Sequence, residues 1–286
     1  MLAVGGNHPV MNERRIRTVR VAYGSHASQS AELLLPAAPG PHPVVVLLHG
    51  GFWRLSHDRG LMRPLALYLA RRDFAVLNLE YRRLGELGAG WPGTFMDAVD
   101  GALLAARPLG PGRSSGDPPA LDPERVAIMG HCSGGHLALW AAAWLCALCP
   151  AQEDTAKLVV RAVVTLAALT DLRAAARDGL DLPEGLGGPS AAVALLGGRQ
   201  DTVDGRYRLG SPLDLVPIGS EVAQLLVHGD ADELVPVDHA LRYVRTAAKA
   251  GDQVAVARIP GMGHYDMLES GHECWPLVLE HLRKYL

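Results

Sequence analysis

The sequence predicts an α/β fold: a mainly parallel central sheet with helices on both faces, and a small insertion or cap late in the chain. Three observations predict it. Short apolar runs alternate along the chain with stretches whose apolar residues fall at helical spacing, the pattern of a sheet wound through covering helices. Several of those runs are apolar at every position rather than at alternate ones, which suits strands buried on both faces. And 286 residues, 49% of them apolar, can form a large core without metal or disulfide support.

In chain order, Ile16–Tyr23 and Ala31–Leu35 read as an antiparallel start to the sheet. PAAPGPHP at 36–43 reads as a loop, because Pro and Gly interrupt regular structure. Val44–His49 is a continuous apolar strand running into glycines, and Asp58–Arg71 a helix. Phe74–Leu79 is the next strand, and Thr94–Ala106 the next helix. A second Pro/Gly-rich loop covers 107–123. Arg125–Met129 is a strand and Gly134–Cys146 a helix rich in Ala and Leu. Val159–Leu166, Leu225–His228 and Val254–Ile259 are strands, with helices over Asp238–Ala250 and Cys274–Tyr285. Between the strands at 159–166 and 225–228, residues 173–214 carry little strand pattern and many Gly and Pro; they are the expected cap. No stretch has the composition of a linker, so the expectation is one domain over residues 1–286.

Composition excludes several function classes. A net charge of −3 provides no electrostatic footprint for nucleic acid or an anionic membrane. The longest apolar runs are too short to span a bilayer, and MLAVGGNHPVMNERR does not read as a secretory signal. The four cysteines are too few for a disulfide scaffold, so a cytoplasmic location is expected. Cys146 and Cys149 form a C-x-x-C pair without a second ligand pair, and read as small apolar residues at a helix end. No metal site or cofactor is expected, since no His/Cys/Asp set shows zinc-ligand spacing.

The chemistry concentrates in RVAIMGHCSGGHLALW at 125–140, where a strand runs into G-x-C-x-G and a helix follows at once. A residue on so sharp a turn projects its side chain from the sheet, and the flanking Gly130 and Gly134 avoid a clash that a Cβ would cause. The helix N-terminus supplies free N–H groups and positive potential, which favour a thiolate and a developing oxyanion. Cys132 is therefore the candidate nucleophile, with the N–H of Ser133 facing the oxyanion. The alternative frame would make Ser133 the nucleophile, but it places His131 where a glycine is needed. Farther on, LLVHGDADELVP at 225–236 is a strand followed by acidic residues, and ARIPGMGHYDM at 257–267 a strand followed by a Gly-rich turn and His264. LLHGGFW at 47–53 ends the first buried strand in glycines that let backbone approach a substrate oxygen.

These motifs resemble the α/β-hydrolase superfamily, in particular its kynurenine formamidase-like and carboxylesterase-like members. GHCSGGHLA resembles GHSAGGHLA with Cys in the Ser place, as dienelactone hydrolases of the superfamily also have. The resemblance implies a nucleophile–acid–base order of Cys132, Asp232 and His264, with Asp230 and Glu233 left to turn and surface roles. It implies oxyanion donors at Gly51, Phe52 and Ser133, a bracing role for His49 and a pocket-lining role for Trp53. His131, His136 and His228 are expected to pack beside the site, and Glu80, Tyr81 and Arg82 to be structural. It covers most of the chain, through YGSHASQSAELLLP, NLEYRRLGELGAGWPGTFMDAV and GSPLDLVP, and departs from the family at Cys132 and over 173–208.

The expected activity is hydrolysis of a small-molecule ester, thioester or activated amide, arylformamidase-like or esterase-like, through an acyl-thioester. A thioester also hands its acyl group to amines or alcohols, so an acyltransferase or cyclase is the alternative. A non-catalytic ligand-binding protein on the same scaffold is another, although a mere pocket needs neither Asp232 nor His264.

Overall fold

The computed structural model describes residues 16–109, 120–148, 158–180 and 189–286. Its centre is an eight-stranded sheet in the order β1-β2-β4-β3-β5-β6-β7-β8, formed by Arg17–Ala22 (β1), Ser30–Leu35 (β2), His42–Leu48 (β3), Ala75–Leu79 (β4), Leu121–His131 (β5), Val160–Leu166 (β6), Ala223–Gly229 (β7) and Val254–Ile259 (β8). β1 pairs antiparallel with β2, and β2 antiparallel with β4, as the N-terminal pattern predicts; every later pairing is parallel. The continuous apolar runs are the central strands: Val44 through Leu48 and Val126 through Met129 are wholly buried. The sheet separates two apolar clusters. One holds Val44, Val46, Ile128 and Phe95, the other Val45, Leu47, Met129 and Trp275. Alternate residues of one strand thus feed opposite layers, the geometry of a pleated strand covered on both sides.

The helices are Arg63–Ala70 (α1), Gly93–Ala102 (α2), Ser133–Leu148 (α3), Leu172–Arg177 (α4), Ala191–Leu196 (α5), Gln200–Gly210 (α6), Asp238–Ala250 (α7) and Trp275–Tyr285 (α8). The helix expected from Asp58 begins only at Arg63, after a 3₁₀ turn over Arg59–Met62. Pro64 is the reason: proline fits the first turn of a helix and not its interior. The helix expected over 94–106 likewise ends at Ala102 and tightens into a 3₁₀ turn over Leu103–Ala106.

Both Pro-rich loops are shorter than their composition suggests. β3 begins at His42 and β5 at Leu121, and these ends pair with each other, His42 with Leu121 and Pro43 with Asp122, before the register shifts between Pro43 and Val44. Mutual pairing at a register irregularity accommodates prolines that cannot donate to a regular ladder. Residues 110–119 of the second loop, the N-terminal 15 residues, Cys149, and 181–188 of the expected cap lie outside the described residues. What is described of the cap is helical: α4, α5 and α6 stand between β6 and β7. α3 ties this segment down, for His136 Nε2 donates to Gly210 O (2.8 Å) and Trp140 Nε1 to Leu209 O (2.7 Å). Among the described residues no helix is long and apolar enough to cross a membrane.

Candidate active site

Parallel strands end together, so the residues just past β3, β5, β7 and β8 meet at one edge of the sheet. There the chain places Gly51–Phe52, Cys132, Asp232 and His264.

Cys132 follows β5 directly and adopts φ 54°, the left-handed region that a non-glycine residue occupies at a cost. Its N–H is held by Leu166 O (2.8 Å), and its own carbonyl accepts from His136 N (3.1 Å) as α3 begins. The two flanking glycines are needed by contact. A Cβ on Gly130 would lie 2.2 Å from Gly134 O, and one on Gly134 would lie 2.3 Å from Leu48 O. The G-x-C-x-G spacing thus reflects backbone passing against backbone.

His264 lies in the turn after β8. Its Nδ1 faces Asp232 Oδ2 at 2.7 Å, and its ring lies close enough to the Cys132 side chain for that side chain to favour the ring's charged form. Asp232, whose side chain is fully buried, accepts at Oδ1 from the N–H of Leu234 (2.9 Å) and Val235 (2.8 Å), and at Oδ2 also meets His228 Nε2 (3.3 Å). Burial opposes its charge, but hydrogen bonds from His228 and His264 outweigh burial and hold the carboxyl well below the usual range. Burial likewise opposes a charged His264. The bond to Asp232 and the contact with the Cys132 sulfur overcome it and push the imidazole up to about 10. The His264 ring thus lies between the Asp232 carboxylate and the Cys132 side chain.

Two neighbouring histidines are pushed towards the neutral form. Burial, then the charge on His264, pushes His131 down to about 3; its Nε2 donates to His264 O (3.0 Å) and its ring packs 4.6 Å from the His264 ring. Burial pushes His136 down to about 4. Asp230 accepts from Gly261 N (2.6 Å) and pairs with Arg258 (3.2 Å), the turn role expected of it.

The loop after β3 lies on the elbow: a Cβ at Gly50 would sit 3.0 Å from Cys132 Cβ. Gly51, Phe52 and Trp53 all have positive φ, at 113°, 51° and 59°. This coil leaves the N–H groups of Gly51 and Phe52 without hydrogen-bond partners among the described residues, while Trp53 N donates to Ser133 Oγ (3.3 Å). The N–H of Ser133 opens α3 and has no acceptor within the helix. The Ser133 hydroxyl is wholly buried and accepts from Trp53 N, while Cys132 stands at the tip of the turn. The Trp53 indole, expected to line the pocket, is 1% exposed and packs edge-on against His136 in the core.

A groove of about 1090 Å³ in the cap is lined by Arg173, Arg177, Ser190, Arg199, Asp204 and Tyr207, and none of the three strand-end residues borders it. Among the described residues no group of His, Cys, Asp and Glu is arranged to hold a metal ion.

Sequence reasoning treated Glu80 and Tyr81 as structural and did not connect them to the site. Glu80, at the end of β4, receives His49 Nε2 at 2.8 Å, and the Tyr81 hydroxyl donates to His49 O at 2.8 Å.

Sheet order, elbow and strand-end residues define an α/β-hydrolase. Solved structures agree on the fold. A truncated carbohydrate esterase from gut microbiota superposes with a TM-score of 0.72 at 19% identity, covering 95% of this chain and 96% of that one. Esterase B from Lactobacillus rhamnosis gives 0.71 at 21% identity, covering 95% and 84%. A thermophilic esterase of the planctomycete Thermogutta terrifontis gives 0.68 at 19%, covering 96% and 94%. The chain belongs to the BD-FAE family, whose model matches residues 32–246. In sequence it is 30% identical over 118 residues to a probable isoprenylcysteine alpha-carbonyl methylesterase of Arabidopsis thaliana, a match covering 41% of this chain and 26% of that protein. The chain thus spans about a quarter of the length of that curated relative.

Proposed function

We propose that this chain is an acyl hydrolase that cleaves a small-molecule carboxylic ester, thioester or activated amide through Cys132, His264 and Asp232, by way of an acyl-thioester. The observation that carries the reading is the alignment of Asp232, hydrogen-bonded to His264, with the Cys132 side chain beside the same ring, at the ends of parallel strands under free backbone N–H groups. The names of the similar proteins, all esterases, support an ester as the bond cleaved.

The reaction runs in two halves. The Cys132 thiolate attacks the carbonyl carbon, and the oxygen takes the negative charge facing the N–H groups of Gly51, Phe52 and Ser133. Such donors are each worth about 3 kcal/mol in the transition state. As the tetrahedral centre collapses, the bond to the leaving oxygen, sulfur or nitrogen breaks and His264 gives that atom its proton. Neutral His264 then takes a proton from water, which attacks the thioester; carboxylic acid leaves and the thiolate and imidazolium return. Asp232 holds the Nδ1–H tautomer throughout. An amine or alcohol in place of water would make the same centre an acyltransferase.

The test uses p-nitrophenyl acetate. Cys132→Ala is expected to lose turnover by at least a thousandfold, and the wild-type chain, quenched early, to carry one acetyl mass on Cys132. Full turnover in Cys132→Ala would rule out the thioester route. Absence of any acyl adduct in the wild type would favour a ligand-binding protein. Added hydroxylamine or alcohol, with product partition measured, separates hydrolysis from acyl transfer.

A further inference from the structure

One histidine that the motifs do not include stands against the oxyanion loop. A Cβ added to Gly51 would lie 2.6 Å from His57 Cβ and 2.8 Å from its Cγ and Nδ1, so the imidazole fills the space that a side chain at 51 would take. Gly51 adopts φ 113°, a conformation open to glycine, and no side chain competes for that space. The mount is firm. His57 O accepts from Arg83 Nη1 (2.9 Å), and the Arg83 guanidinium is itself held by Glu80 (3.4 Å) and Glu86 (3.3 Å) with only 12% of its side chain exposed. His57 Nδ1 lies 3.0 Å from Ser56 Oγ. The ring is partly exposed, and its Nε2 has no partner among the described residues.

We infer that His57 is a specificity-determining residue that reads the acyl half of the substrate, favouring acyl groups with an acceptor oxygen on the carbon next to the scissile carbonyl. The inference rests on Cys132 as nucleophile and His264 as proton donor. Sheet order decides which half of the substrate is meant. β5 carries Cys132 just past its end; β3 adjoins β5 on one side, and β6, β7 and β8 follow on the other. His264 comes from the β8 side, so the leaving atom that it protonates lies on that side. The N–H groups of Gly51 and Phe52 come from the β3 side and face the carbonyl oxygen. His57 packs on Gly51, so the substrate atoms within its reach belong to the acyl half rather than to the leaving group. With the Ser56 hydroxyl donating to Nδ1, the ring carries its proton on Nε2 and offers it outward. An α-hydroxy, α-alkoxy or α-oxo oxygen accepts that hydrogen; a methylene in the same place leaves the donor to water.

The experiment compares p-nitrophenyl methoxyacetate with p-nitrophenyl butyrate, two esters of one leaving group whose acyl chains differ by an ether oxygen in place of a methylene. The ratio of their kcat/KM values is measured in the wild-type chain, in His57→Phe and in His57→Gln. The intrinsic reactivity of each ester is common to all three chains, and any loss shared by both esters cancels as well, so a change in the ratio reports the contact with the extra oxygen alone. His57→Phe is expected to lower the ratio by roughly three- to tenfold, the worth of one neutral hydrogen bond. His57→Gln, which keeps an N–H donor, is expected to recover part of that loss. A ratio unchanged in His57→Phe, or a ratio as low in His57→Gln as in His57→Phe, would overturn the inference. If Cys132→Ala keeps full turnover, the nucleophile assignment fails instead, and the ratio still reports on His57 alone.

Discussion

The molecule holds two buried imidazole–carboxylate pairs at the ends of its strands, and they differ in what the second ring nitrogen meets. His264 and Asp232 are 2.7 Å apart, His49 and Glu80 2.8 Å. In the first pair the remaining edge of the ring meets a sulfur that can give up or take back a proton. In the second it meets the Gly50 carbonyl, which can only accept. One ring thus has a thiol on its second edge and the other a backbone carbonyl. The difference teaches that an imidazole–carboxylate contact alone does not decide whether a ring can pass a proton; the partner of the other nitrogen does.

That contrast can be broken by mutation. The largest expected effect is at the mobile pair: Asp232→Asn should lower kcat by about 10³- to 10⁴-fold, because the wrong tautomer then faces the sulfur. Steady-state kinetics checks it, and a loss of only tenfold would make the two pairs equivalent. Next comes Glu80→Gln at the second pair, where the same kinetics should show a loss of roughly ten- to a hundredfold, the effect of an ångström-scale misplacement of the neighbouring loop.

The pH dependence sharpens the contrast further. Asp232 and the Cys132 sulfur raise His264 from 6.5 to about 10, so the stability that its charge contributes is full below pH 6.5 and is lost as pH rises through about 10. Asp232, held low, contributes above its ordinary value of 3.8 and loses its contribution on acidification. Melting temperature measured between pH 6 and pH 10.5 should therefore fall towards the alkaline end, and in Asp232→Asn the fall should begin at lower pH. A wild-type curve flat to pH 10.5 would contradict the raised value. The smallest effect is expected from Glu233→Gln: Glu233 is exposed beside Asp232, and turnover within about twofold of wild type would show that the carboxylate is chosen by burial and partners rather than by proximity in sequence.

How legible each part was depends on the range of the interaction behind it. The elbow is local. Gly130, Cys132 and Gly134 are fixed by clashes within five residues and against the adjacent strand end, so their spacing announces them. Asp232 could be told from Asp230 and Glu233 through the surrounding motif, and the structure adds the reason: its oxygens alone among the three face His264 and His228. The contact between Glu80 and His49 was not legible. It arises because β3 pairs with β4 in parallel, Leu48 opposite Leu79, which brings the next residues, His49 and Glu80, side by side. Trp53 was misread for a related reason. In sequence it follows a site loop, but three successive positive φ values, at Gly51, Phe52 and Trp53, coil that loop so that the indole enters the core.

The amino-acid sequence alone determined the parallel α/β architecture and the sharp cysteine turn, because each is written in periodicity or in contacts between near neighbours. Only the tertiary structure decided which strands lie side by side, and with that which histidine ring meets a sulfur and which a carbonyl. Hydrogen-bond partners across a sheet are set by strand order and register, and no local pattern encodes either.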